Sequence, residues 1–361
     1  MKKLGVASHV LVLRQSVFGY ETDQVLWKNN ESFLIREIKR IAAIFMMPLR
    51  FNIVHYNFGT TLANPSFPYK PEEDFFHSLA RRIYSFYTCL LQFVELMLLK
   101  SFRKPIFMHY QGDDARQGTY SLKNFEYSIA SQVDDSYYNA ASDTFKQKSI
   151  RRMAMFCSKI YALNPDLLHV LPGCAEFLPY SHIDLSEWTP VYPTRSNHPL
   201  RIGHAPSHRA VKGTNLIIDA LNSLKKKGFS FELVLIEGLS NSEARKKYET
   251  VDVLVDQLFA GWYGGLAVEA MALGKPVLVY LREKDFKFIP KQMVKEFPFI
   301  QVCPETIQDG LEKVLKMPRD ELIDLAKLSR AYVEHWHDPL SIVSSIKKDY
   351  ENALRMQVKE D

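Results

Sequence analysis

From residue 200 onward, short aliphatic runs alternate with helical patterns at a tight, regular spacing, and no other feature restricts the fold as much. The run 200–204 (LRIGH) reads as a strand, 214–227 as a helix and 231–236 (FELVLI) as a strand. A helix begins over 242–249, a strand follows at 251–255, a helix at 266–273 ends on Gly274, and 277–281 is the next strand. Helices near 305–316 and 319–335 complete the series. Strands that alternate one by one with helices belong to a parallel sheet, and the fold class is α/β.

The upstream half alternates in the same way, less regularly. Residues 6–13, between Gly5 and Arg14, predict a buried strand. Further strands are expected at 51–56 (FNIVHY), 106–110 (IFMHY) and 159–163 (KIYAL), with helices near 31–47, 74–100 and 143–157. Ligands gather at the carboxyl ends of such strands, which here carry Tyr56-Asn57, the stretch from His109 to Asp114, and Asn164-Pro165. The segment 178–199 is interrupted by Pro179, Pro190, Pro193 and Pro199 and reads as a crossover. A chain of 361 residues exceeds what one core usually supports, so two domains are expected. Their bounds are set at 1–190 and 191–335, with 336–361 a C-terminal helix that packs back toward the first domain.

A net charge of +5 favours anionic partners but is too small to argue for nucleic acid, and no RNA-binding or zinc-finger pattern accompanies it. Cys89, Cys157, Cys174 and Cys303 are widely spaced, which argues against a disulfide scaffold or a four-cysteine metal site. They read as buried small residues in a reducing compartment. The N-terminus lacks a good cleavage context, and the apolar run 86–99 contains Gln92 and Glu95 and is short for a membrane span. The expected location is the cytoplasm. The aromatic and basic segment 81–104 reads first as a helix packed on the sheet. The alternative is peripheral contact with an anionic membrane at its inner face, which would give access to a lipid-linked acceptor.

The most informative segment is 261–276 (GWYGGLAVEAMALGKP). Glycines crowd a turn just before a helix, where backbone can approach a phosphate and unpaired N–H groups attract negative charge. Glu269, one turn inside, can accept two hydroxyl hydrogens from a ribose or sugar. The plainer reading is a tight strand–helix joint with a solvated glutamate. A second block, 204–213 (HAPSHRAVKG), joins a strand to a helix and carries Arg209 and Lys212, cations able to neutralise a diphosphate or simply a solvated pair. Asp113 and Asp114 either bind acceptor hydroxyls or cap the segment after them. No metal site is expected. His204 and His208 lie around Pro206, and His335 and His337 read as a solvated helix end.

The run Glu269-Ala270-Met271-Ala272-Leu273-Gly274-Lys275-Pro276-Val277 resembles the second half of a motif of retaining GT-B glycosyltransferases. That large family includes bacterial mannosyl-, glucosyl- and N-acetylglucosaminyltransferases. The resemblance implies two Rossmann-like domains facing across a cleft and a nucleoside diphosphate sugar as donor, with no tightly bound cofactor. It gives ribose binding to Glu269, and diphosphate and sugar binding to the amides of Gly264, Gly265 and Leu266. Lys212-Gly213 matches the family's phosphate-binding lysine. The family arginine falls on Ser207, and Arg209 stands in for it. The family histidine near the transferred sugar falls on Gln111, with His109 two residues earlier on the same side of the strand. The motif's first glutamate falls on Gly261, so its role passes to Asp256 or is lost.

The opening Met1-Lys2-Lys3-Leu4-Gly5-Val6 resembles the Leu-Gly joint that in the family follows a first strand–loop–helix unit. The expectation is either that this unit is absent or that the N-terminal domain is built differently, truncated or atypical. The implied activity is transfer of a sugar, with retained configuration, to a hydroxyl of a glycan or lipid-linked acceptor in glycan, glycolipid or surface-polysaccharide synthesis. The competing readings are a nucleotide-sugar epimerase on the same fold and a degenerate binding subunit that supports a partner enzyme. A dehydrogenase is disfavoured, since no G-x-G-x-x-G follows an early strand.

Overall fold

The computed structural model describes residues 1–15, 21–70, 73–195 and 198–358. It forms two compact units. One comprises Met1–Gln117, Asn139–Leu178 and Val343–Asp361, and the other Gly118–Tyr138 and Pro179–Ile342. The chain changes unit at Leu178 rather than at residue 190, and the segment 118–138 folds with the second unit, where Ile129, Ala130 and Tyr138 enter the core.

In the first unit, β1 (Leu11–Val12) and β2 (Gln24–Val25) make a short parallel pair with Leu11 opposite Gln24. This corrects the expectation of a buried strand over 6–13. Pairing lasts two residues, Asp23 takes the Val10 amide, and Val10 is half exposed. An apolar run becomes a buried strand only where a neighbouring edge accepts its backbone, and Ser8 and His9 break this one.

The main sheet of the unit is parallel and contains β3 (Val54–Asn57), β4 (Ile106–Tyr110), β5 (Lys159–Ala162) and β6 (Ala175–Phe177), side by side in chain order. Helix Phe33–Arg50 leads into β3, Phe75–Ser101 joins β3 to β4, and Ala140–Ala154 precedes β5. Each begins at a side-chain cap, from Ser32, Asp74 and the reciprocal Asn139–Ser142 box, which satisfies amides the helix leaves open. Met47, Leu96, Met108, Ile150 and Ile160 centre the core. The buried Glu95 carboxylate accepts the amides of Leu62 (3.0 Å) and Ala63 (2.9 Å) and the Tyr56 hydroxyl. Burial nevertheless pushes it above the usual carboxylate range. Helix Phe75–Ser101 is 27 residues long and is, by length and composition, apolar enough to cross a membrane, which the run 86–99 alone did not suggest. From the C-terminal helix (Pro339–Val358), Tyr350 hydrogen-bonds His55 Nδ1 at 2.6 Å, and Asp349 accepts the Tyr161 hydroxyl at 2.7 Å.

The second unit holds a parallel sheet of β7 (Leu200–His204), β8 (Phe231–Leu235), β9 (Val253–Val255), β10 (Val277–Val279) and β11 (Ile300–Gln301), in the order β11-β10-β9-β7-β8. The chain moves outward from β7 to β8, returns to the other side of β7 at β9, and continues outward. Strand order therefore reverses between β7 and β9, and loops leaving the two carboxyl ends part there into a crevice. Every residue of β9 and β10 is buried, as a strand covered on both faces requires.

Candidate functional site

Two loops leave the sheet at this reversal. The first follows β7. His204 is fully buried, with Nδ1 2.8 Å from the Val255 carbonyl and Nε2 2.9 Å from Thr214 Oγ1. A carbonyl can only accept, so Nδ1 carries the proton and Nε2 takes the threonine hydroxyl. Burial pushes the ring's pKa down, which keeps it neutral. His204 thereby fastens β7, β9 and the start of helix Thr214–Lys226 together. A one-turn helix, Arg209–Lys212, ends on Gly213 at φ 76°, a left-handed conformation that costs glycine little.

The second loop runs from Asp256 to Gly264. Asp256 has no exposed surface. One carboxylate oxygen accepts Lys212 Nζ at 2.9 Å, and the other accepts the Gly264 amide at 2.7 Å. Gln257 Oε1 lies 2.8 Å from the same ammonium. A Cβ added to Gly264 would stand 3.4 Å from Lys212 Nζ, so the cation and the glycine turn are adjacent. Helix Gly265–Ala272 begins directly behind, and its first amides have no intrahelical acceptor. The result is a lysine, a turn and the positive end of a helix, held by one buried aspartate.

The other expected residues are distributed around this centre. Glu269 Oε1 is 3.3 Å from His182 Nε2, and a Cβ on Gly265 would stand 3.3 Å from the same ring. His182 thus sits over the helix start. It comes from the proline-interrupted segment, where no local pattern marks it. Arg209 is half exposed and pairs with Glu237 beyond β8, at 2.8 Å. The structure brings Lys212, rather than Arg209, to the glycine turn.

Gly261 adopts φ 76°, and a Cβ there would meet the Arg282 guanidinium at 2.5 Å. That guanidinium is itself fixed. It donates to Asp285 and to the Tyr127 carbonyl, both at 2.9 Å, and lies 3.7 Å from the Phe125 ring centroid. The position that matches the family glutamate is therefore filled by a cation.

Trp262 and Tyr263 are buried and stacked, and Tyr263 hydrogen-bonds His337 Nε2 at 3.0 Å. His337 also bonds the Tyr180 carbonyl, and burial pushes its pKa down to about 4. The solvated helix end expected at 335–337 thus holds for His335 alone. His337 is fully buried because helix Arg319–Trp336 stops against the aromatic cluster. Lys275 is buried and donates to the Val191 and Glu249 carbonyls, with its pKa pushed down to about 8 by desolvation.

In the first unit, His109 lies on β4 with its Nε2 buried and without a hydrogen-bond partner, and burial pushes its pKa down to about 4. Its ring is 6.3 Å from His55 and 6.1 Å from Tyr161. Gln111 follows at the strand end, where its backbone N–H donates to Asp114 and its backbone carbonyl accepts Asn164 Nδ2. Asp114 also takes the Gly112 amide, so it caps the turn, while Asp113 pairs with Arg116 at 2.7 Å. None of the four cysteines is fully buried and Cys174 is exposed, which corrects the expectation of buried thiols. Among the described residues, no cluster of three or more histidine, cysteine or acidic side chains could hold a metal ion.

No protein-family model and no curated protein matches the chain. Solved structures do. A glycosyltransferase from Rickettsia africae matches with a TM-score of 0.52 at 12% identity, over 92% of this chain and 84% of that one. Sucrose-phosphate synthase from Thermosynechococcus elongatus matches with a TM-score of 0.51 at 13% identity, over 90% and 94%. The catalytic domain of starch synthase IV from Arabidopsis thaliana, bound to ADP and acarbose, matches with 0.51 at 11%, over 94% and 80%. At these identities the likeness is one of fold, and the chain has the GT-B fold with its two Rossmann-like α/β units.

Proposed function

We propose that this chain is a retaining glycosyltransferase. Its second unit binds a nucleoside diphosphate sugar, and the sugar passes to a hydroxyl of a glycan or lipid-linked acceptor in the cytoplasm. The observation that carries the reading is the placement of Lys212 Nζ against the Gly264 turn, at the strand reversal and directly ahead of a helix start. A diphosphate needs such a convergence of cation and amide donors.

In this reading Lys212 and the amides of Gly265 and Leu266 take up the diphosphate charge, which grows as the sugar bond breaks, while the Gly264 amide stays on Asp256 and holds the turn in place. Glu269 accepts the ribose hydroxyls. Arg209 exchanges Glu237 for phosphate at the rim. In the first unit, His109 and Gln111 bond sugar or acceptor hydroxyls. The departing phosphate oxygen takes the acceptor proton on the face it leaves, which retains configuration without a protein base. Side-chain cations and amides supply the field that a metal would otherwise supply.

The test is a thermal-shift screen of nucleoside diphosphates and nucleotide sugars, followed by a transfer assay with the strongest ligand. A ligand at a hundredfold excess over its Kd stabilises the folded state by about 2.7 kcal/mol. Failure of every diphosphate to raise the midpoint sinks the reading. The packing of Arg282 against Gly261 favours one alternative, a subunit that binds the donor without turning it over. Donor affinity with no product from any acceptor would select it.

A further inference from the structure

Two long helices of the first unit are amphipathic in the inverted sense. On Phe75–Ser101 the inward stripe is largely polar, with Ser85, Thr88, Gln92 and Glu95 all buried. The outward stripe, at alternating steps of three and four, is Leu79, Ile83, Phe86, Leu90, Phe93 and Met97, every one exposed and Phe86 72% so. Helix Phe33–Arg50 repeats the arrangement. It buries Glu37 and Arg40 and exposes Leu34, Ile38, Phe45 and Leu49. The helices lie side by side. Tyr87 donates to Glu37 at 2.9 Å, Phe33 meets Tyr84 at 5.7 Å, and Ile44 packs with Leu91. Their outward stripes form one apolar face, far beyond the scattered exposed leucines of an ordinary surface.

We propose that this face docks the protein on an anionic lipid bilayer, lying in the interface rather than crossing it. Charge selects the occupant. The only carboxylates within either helix, Glu37 and Glu95, are on the buried sides. The exposed Asp74 stands outside the helix at its N-cap, paired with His77, so the exposed charges within the longer helix are cations. Exposed cations stand at its ends. Arg82 and Lys100, 18 residues apart, fall on the same side of their helix about 27 Å from each other, with Phe86 and Phe93 between them. Arg103 follows in the next turn. Lysine and arginine at the edges of an apolar helical face hold their charges at lipid phosphates while the rings enter the acyl boundary. Spanning is excluded by the inward stripe, because withdrawing the helix would strip Glu95 of three hydrogen bonds and place it in hydrocarbon. The surface is independent of the nucleotide site.

The test is flotation of the full chain with phosphatidylcholine vesicles and with vesicles that also contain phosphatidylglycerol. Binding is expected to the anionic vesicles and to weaken as salt rises. Arg82→Glu with Lys100→Glu should lower the anionic partition roughly thirtyfold or more. Phe86→Ser with Phe93→Ser should lower it about a hundredfold or more at any salt. Both pairs are exposed, and unchanged circular dichroism and thermal midpoints would show that folding is intact. Equal binding to both vesicle types overturns the assignment. So does a chain that stays in solution with both, including one that light scattering shows to be a dimer split by the serine pair, in which case the occupant is a second copy.

Discussion

Replacing Lys212 by methionine separates the proposed ligand contact from the structural one. The Lys212 side chain is 12% exposed and its partner Asp256 not at all. Removing the ammonium leaves that carboxylate with the Gly264 amide as its remaining short contact, and breaking a buried pair from one side costs about 3–5 kcal/mol. The lysine head keeps some water, so the lower end, about 3 kcal/mol, is expected in urea denaturation. A charge-assisted contact to phosphate contributes roughly 1.5–3 kcal/mol, so Kd for a nucleoside diphosphate should rise about 10- to 150-fold by calorimetry. Both effects would follow from simple local collapse. The double variant Lys212→Met/Asp256→Asn removes that ambiguity. The asparagine still accepts the Gly264 amide and carries no charge, so stability should largely return while affinity stays low. Asp256→Asn alone frees the ammonium from its counter-charge and should tighten diphosphate binding. Parent-like affinity in Lys212→Met, or recovery of affinity in the double variant, would remove Lys212 from any phosphate site.

Glu269→Gln should weaken nucleoside diphosphate binding about tenfold through the ribose, and equal affinities for variant and parent in calorimetry would exclude that role. Gly261→Ala should destabilise by about 1–3 kcal/mol, because φ 76° disfavours a side chain and the Arg282 guanidinium is pinned by Asp285, Tyr127 and Phe125. An unchanged urea midpoint would show that Arg282 yields freely. His55 is held neutral by burial, with its pKa lowered from 6.5 to about 3, and it faces the Tyr350 hydroxyl, His109 and Tyr161. The unfolded chain takes up this proton first, so the stability it provides is complete above pH 6.5 and is lost as pH falls toward about 3. In His55→Asn the stability–pH curve should be shallower there by about 1.4 kcal/mol per pH unit, and parallel curves would contradict the assignment.

The second unit was legible because its two inner strands, β9 and β10, are buried on both faces and read as apolar runs, and because short strand-like runs alternate regularly with helical patterns on either side of them. LRIGH, FELVLI and the run after Gly274 each supplied a strand of the sheet. Glycine at 213, 264 and 265 marks where backbone must turn or come close, and that demand is local. What completes the site is not local. Asp256 reaches Lys212 only because β9 returns beside β7, and His182 reaches Glu269 from the proline-interrupted segment. Arg282 fills the space at Gly261 from the far end of β10, and no spacing rule within 261–276 indicates it.

The first unit shows the complementary limit. Periodicity at three and four residues located both long helices to within a few positions, but it states only that one side is apolar, not where that side points. The usual assignment turns the apolar side inward because burial of aliphatic surface dominates folding. Here the inward side is settled by polar groups with specific partners. Glu95 needs the amides of Leu62 and Ala63, and the Arg40 guanidinium needs Glu37 and the Ala63 carbonyl. The loop after β3 supplies those backbone groups, more than twenty residues from Arg40 and more than thirty from Glu95. Once these bonds fix the rotation of both helices, Phe86, Phe93 and Leu49 have only the outside left. Polar groups with fixed partners thus leave an apolar face outside, and that face is the one proposed to meet the bilayer.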